Sequence, residues 1–286
     1  MGFDDVAVCD EFDICEDNRT VLKILVITFP FFALVLCGYL AARQRMLPLE
    51  AIPGLNGFVL FFALPCMLYR FGASTPIAQL LDVSAGLTWL ACGLIMVGFT
   101  VATSLNTRIG WNDAAFGALV AAFPNSGFMG VPLLVALLGA KAAGPTILTM
   151  VIDMIVITSL CIALSRLDGA DEHGAAKALK NALKGVLANP MPWAILLGAL
   201  VSVLGLELPK PVTQTVGLLA DAASPVALFT IGAVLARSQM LAAAGHVAAP
   251  QLGDYLPVAL LKLFLHPLLV LLVGAALISL SRATGK

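Results

Sequence analysis

The sequence predicts an all-α polytopic membrane protein. Three observations carry that prediction. The chain of 286 residues is 60% hydrophobic and only 12% charged, whereas a soluble domain holds about 45–50% apolar and about 25% charged residues. Its mean hydropathy is +0.99. Its apolar residues fall in eight continuous stretches, about 21–43, 53–74, 83–105, 113–139, 143–165, 190–207, 213–236 and 255–280. Each is close to the ~20 residues that a helix needs to cross a bilayer. A single core does not grow large enough to bury so much apolar surface, so much of it must face lipid. In lipid every backbone polar group needs an internal partner, which leaves helices or closed barrels. Barrel strands alternate apolar and polar residues, and these runs do not.

Residues 1–20 precede the first stretch and hold seven acids and one arginine. They lack the basic start and apolar run of a signal peptide. They are expected to be a disordered acidic tail, or to lie upstream of the true start. Cys37, Cys66, Cys92 and Cys161 lie in apolar runs and read as inert fillers. Cys9 and Cys15 either stay free or pair outside the cytoplasm. A net charge of -1 offers no basic surface to nucleic acid.

Lys and Arg in short loops set the orientation. Arg43 and Arg45 follow the first stretch, Arg108 the third, Arg166, Lys177, Lys180 and Lys184 the fifth, and Arg237 the seventh. The opposite loops hold Arg70, Lys141 and Lys210. The N-terminus is therefore expected outside the cytoplasm. Between the fifth and sixth stretches, Leu179, Ala182, Leu183, Val186 and Leu187 share one helical face, with three lysines beside it. Residues 167–189 read as a cytoplasmic amphipathic linker lying on lipid, or as a plain solvated linker.

The sequence also matches itself at an offset of 160. Pro30 and Gly38 of the first stretch correspond to Pro190 and Gly198 of the sixth. Ala63, Pro65, Leu68, Gly72 and Ala73 of the second correspond to Ala223, Pro225, Leu228, Gly232 and Ala233 of the seventh. Five helices separate the two starts, and an odd number inserts the second copy upside down. Inverted repeats are a mark of secondary transporters that bind substrate near the midplane between the copies. The predicted division is a tail at 1–20, a first five-helix repeat at 21–166, the linker, and an incomplete second repeat of three helices at 190–286. Two further spans, ~40 residues, would complete the second copy. The expectation is eight helices of a ten-helix protein cut short.

The fourth stretch, AAFPNSGFMGVPLLVALLG, carries the strongest candidate site. Pro124 and Pro132 each remove a backbone donor. Gly127 and Gly130 weaken the helix between them, and Asn125 and Ser126 place polar groups at the weak point. A helix broken at membrane depth survives only where protein or a watery cavity serves the freed groups. Its exposed amides and positive dipole end suit a carboxylate. The alternative is a proline-kinked packing helix with small residues at a close contact.

Pro65 and Pro225 are matched candidates for helix kinks. Few ionisable groups lie deep: Asp153, Asp221, Lys262 and His266. A charge at the bilayer centre is costly, so such groups usually pair or serve transport. Asp153, Asp221 and Lys262 are candidates for an Asp–Lys pair in the bundle interior, with either Asp153 or Asp221 as the acid. It would serve proton coupling or substrate charge, or be purely structural. Lys262 can also snorkel to the interface, and Arg70 reads as an interfacial anchor. No enzyme motif and no nucleotide loop is present. Active transport would then draw on an ion gradient, of protons or of sodium.

Three segments, LPLEAIPGLNGFVLFFALPCMLY at 47–69, FPNSGFMGVPLLVALLG at 123–139 and SPVALFTIGAVLA at 224–236, together with LLKLFLHPLL at 260–269, carry a family resemblance. The chain resembles the auxin efflux carrier family of membrane transporters, in particular bacterial members described as malonate or malate permeases. The resemblance covers about 21–280. It implies ten helices in two inverted five-helix repeats, with the fourth and ninth broken and crossing at the substrate site. It implies a scaffold and a moving transport domain, a homodimer, and residence in the bacterial cytoplasmic membrane. Carried onto this chain, Asn125 with Pro124, Gly130 and Pro132 forms half of that site; the ninth helix has no counterpart here. Transport of mono- or dicarboxylates is the leading expectation. A sodium-coupled symporter of related fold and a non-transporting gene product stand beside it.

Overall fold

The computed structural model describes residues 7–74, 82–106, 109–167, 184, 187, 189–245 and 252–284. Among these the ordered backbone is helical, with no strand. Helix α1 runs Ala7–Arg43 and α2 runs Ile52–Ser74, the latter with a wide π turn at Val59–Ala63. Helix α3 runs Val83–Ser104. The fourth apolar stretch is divided into α4, Trp111–Ala122, and α5, Val131–Leu138, with a π turn at Ser126–Gly130 leading into α5. Helix α6 runs Ala143–Leu164 with a π turn at Asp153–Ile157. Then come α7, Pro190–Leu204, and α8, Lys210–Ala243. Helix α9 runs Leu252–Leu260, passes a π turn at Leu261–Leu265 and continues as His266–Thr284.

The ends follow local chemistry. Asp82 caps α3 by accepting from the Ala85 amide at 3.0 Å. Asn189 caps α7 from the Met191 amide at 3.1 Å, and Pro190 takes the first helical position, where no donor is needed. Gly205 ends α7 in the left-handed region, φ 59°.

Among the described residues, six helices are long and apolar enough to cross a membrane: Ile24–Arg43, α2, α3, α6, α8 and Leu252–Leu277. The other two expected stretches fall on the divided α4–α5 and on the shorter apolar α7. The chain is helical from Ala7, so the acidic segment expected as a tail joins α1. No proline or glycine stands between Phe3 and Phe29 to stop it. The expected amphipathic linker lies almost wholly outside the described residues. Cys37, Cys66, Cys92 and Cys161 are free thiols.

The helices pack as two groups. In one, α8 lies along α1 and α2, and α7 lies along α2. In the other, α3 packs on α4, α6 and α9, and α4 packs on α6 and α9. The turn before α5 touches both groups, through α6 on one side and α8 on the other.

Glycines set the crossings of the first group. A Cβ on Gly38 of α1 would overlap the Phe229 carbonyl of α8, and one on Gly232 of α8 would overlap the Val35 carbonyl of α1. The α2–α7 crossing repeats this. Gly198 of α7 faces the Tyr69 carbonyl, and Gly72 of α2 faces the Ile195 carbonyl. Backbones approach this closely only where both side chains are absent. Adding 160 to the numbers of Gly38, Gly72, Val35 and Tyr69 turns one crossing into the other.

Candidate functional site

Helix α4 stops where the sequence removes its donors. The last amide to bond back is that of Phe123, to the Leu119 carbonyl at 2.9 Å. Pro124 has no amide and pushes the residue before it out of the helical region. Phe123 is accordingly extended, with φ -92° and ψ 106°. The chain turns again at Asn125, whose carbonyl accepts from the amides of Met129 at 3.3 Å and Gly130 at 3.0 Å. The amides of Ser126, Gly127 and Phe128 precede these first bonds and are the open donors of the new helix start. Pro132, at the second position of α5, needs no donor there.

The side chains around the break differ in exposure. Asn125 is exposed, and its carboxamide has no hydrogen-bond partner among the described residues. Ser126 is buried. A Cβ on Gly127 would meet the Met150 sulfur of α6 at 3.2 Å and the Met67 methyl of α2 at 3.4 Å. Ser224 of α8 donates to the Phe128 carbonyl at 3.1 Å, tying the break to the other helix group. Lys262 of α9 donates to the carbonyls of Val120 at 2.8 Å and Phe123 at 2.6 Å.

Behind the break lies a buried polar cluster. Asp153 is 1% exposed. Its Oδ1 accepts from Trp89 Nε1 of α3 at 2.8 Å, and its Oδ2 has no partner among the described residues. The Trp89 ring packs against that of His266, with centroids 5.2 Å apart. His266 is 5% exposed, and its Nε2 also lacks a partner. The Asp153 carbonyl accepts both the amide and, at 2.9 Å, the hydroxyl of Thr158, which stabilises the π turn there. π turns of this kind gather at functional sites.

The structure thus brings Asn125, Ser126, Gly127, Gly130 and Lys262 to one break, with Asp153 and His266 behind it. Asp221 is elsewhere: its carboxylate pairs with Arg70 at 2.5 Å. Of the two candidate acids for an Asp–Lys pair, Asp221 is paired with Arg70 instead. Arg70, expected as an interfacial anchor, has an acidic partner on α8. Pro225 lies inside continuous α8, whereas Pro65 follows a π turn of α2. A cleft of about 710 Å³ opens between α2, α7 and α8, lined by Tyr69, Arg70, Ser202, Glu207 and Thr213. It includes no residue of the break.

Trp89 and the backbone partners of Lys262 were missed by sequence reasoning. Trp89 stands alone as a tryptophan within the apolar third stretch. An indole N–H buried in a membrane helix needs an acceptor, and that signal could have directed attention to it.

Residues 23–283 match the family described as "Membrane transport protein". The chain belongs to that family. The auxin efflux carriers are among its relatives, as the motifs implied. A protein of Rhizobium meliloti (strain 1021) named "Putative malonate transporter" is 28% identical, over 87% of this chain and 76% of its own length. The "Uncharacterized transporter YfdV" of Escherichia coli (strain K12) is 26% identical, over 86% of this chain and 77% of its own. "Auxin efflux carrier component 8" of Arabidopsis thaliana is 21% identical, over 79% and 75%. This member of the membrane transport protein family is a multi-pass membrane transporter.

Proposed function

We propose that this transporter is a secondary carrier of small organic anions, mono- or dicarboxylates such as malonate or malate. The observation that carries the proposal is the interruption of the fourth apolar stretch at 123–125, with an unpartnered carboxamide on Asn125 and open amides on Ser126 to Phe128. Amides at a helix start, with the positive end of the dipole behind them, favour a carboxylate. The likeness to a protein named for malonate supports that substrate class.

The carrier works between two inverted repeats. The glycine crossings support this, since the α1–α8 contacts become the α2–α7 contacts when the copies are exchanged. The α1, α2, α7, α8 group serves as scaffold, and the α3, α4, α6, α9 group moves with the broken helix. The carrier is a homodimer in a bacterial cytoplasmic membrane, with its N-terminus outside. Coupling is to protons, and Asp153 is the residue that holds one. Its Oδ2 is buried without a donor, and a protonated carboxyl stays neutral in a dry interior at far less cost than a carboxylate.

Uptake of labelled malonate into proteoliposomes tests the proposal. Asn125→Ala is expected to abolish uptake while leaving the protein inserted. Normal uptake by that variant would remove Asn125 from the site. Replacing sodium with potassium should leave uptake unchanged, and collapsing the proton gradient should stop it. The reverse pattern would make the coupling ion sodium.

A further inference from the structure

In an α-helix each carbonyl accepts from the amide four residues ahead. At the end of α4 this fails for Val120, Ala121, Ala122 and Phe123, the carbonyls beyond the last bond, from Phe123 to Leu119. For Val120 the loss is written into the chain: its donor would be residue 124, and Pro124 has none. Lys262 comes from α9, a different helix. Its half-buried ammonium donates to the Val120 and Phe123 carbonyls at 2.8 and 2.6 Å. These carbonyls are also the negative end of the α4 dipole, where a cation is favoured.

We infer that Lys262 is a positioning residue of the break: it replaces the hydrogen bond that Pro124 deletes and fixes the point at which the chain leaves α4 for Asn125. An ammonium has three donors, and two are committed to backbone. They serve the carbonyls before Asn125, whereas the amides open to an anion come after it. The π turn at Leu261–Leu265 holds Lys262 in the helix that already packs on α4. The consequence for transport rests on the break being the substrate site; the capping itself does not.

Hydrogen exchange on substrate-free protein reads this directly. Lys262→Met keeps the length of the side chain and removes its donors. Amides in the last turn of α4, with those of Met129 and Gly130, should exchange about tenfold to a hundredfold faster, as a lost bond to a charged donor implies. Lys262→Arg should retain most of the protection. In a Pro124→Ala background residue 124 regains an amide for Val120, and Lys262→Met should then raise exchange by less. Unchanged exchange in Lys262→Met, or the same rise in both backgrounds, would overturn the inference. If Lys262→Met does not accumulate, Lys262→Gln keeps a neutral donor and should show a smaller loss at the same amides; no loss there counts equally against it. Since no substrate is present, a failure to transport any carboxylate leaves this result standing, and unchanged exchange leaves the transport proposal standing.

Discussion

Between α1, α2, α7 and α8 the closest approaches are backbone against backbone at Gly38, Gly72, Gly198 and Gly232. Between α3, α4, α6 and α9 they include polar side chains: Trp89 on Asp153, His266 on Trp89, and Lys262 on the end of α4. The first group joins by shape, with its ion pair at the exposed positions Arg70 and Asp221. The second buries Asp153 and His266, and each keeps one polar atom without a partner. Close-packed backbones have few alternative arrangements. A buried acid or imidazole with an unsatisfied atom gains by admitting a proton or a polar solute. That contrast in buried titratable groups supports the proposed division between frame and moving part.

The contrast can be broken hardest at the glycines. Gly232→Ala would place a methyl where the Val35 carbonyl already sits. The expected loss is about 3 kcal/mol or more, at or beyond the upper end of overpacking, read as a lower thermal midpoint in detergent. Gly98→Ala is its control, because nothing lies within 4 Å of a Cβ there. It should be neutral or stabilising by up to about 1 kcal/mol. Equal effects at the two sites would remove the steric account of the frame.

Trp89→Phe should act on the second group at a middle level. It keeps a ring against His266 and removes the donor to Asp153 Oδ1. A loss of about 1–3 kcal/mol is expected, because the buried Oδ1 is left without its donor. No loss would show that the carboxyl does not depend on the indole. Smallest is Asp221→Asn. With its side chain 69% exposed and that of Arg70 43%, removing the pair should change stability by no more than about 1 kcal/mol. A larger drop would mean the pair helps hold α2 to α8.

Much of this was legible locally. The eight apolar stretches are helical among the described residues, and the order Pro124, Asn125, Ser126, Gly127 foretold the break because each residue acts on its own backbone. The π turns were less legible. Those ending at Ala63, Gly130 and Leu265 each stand two residues before a proline, at 65, 132 and 267. Pro225 lies inside an uninterrupted helix, so the proline alone does not fix the turn. The partners of Lys262, Asp153 and Asp221 depend on which helix faces which, across separations of 142, 64 and 151 residues. A single sequence carries no local trace of such distant choices.

A structure of the protein with malonate bound would test the central claim most directly. The account predicts a carboxylate within hydrogen-bonding distance, about 2.7–3.2 Å, of the Asn125 carboxamide and the amides of Ser126 to Phe128. Malonate seated away from these groups, or a helix running unbroken from α4 into α5, would contradict it.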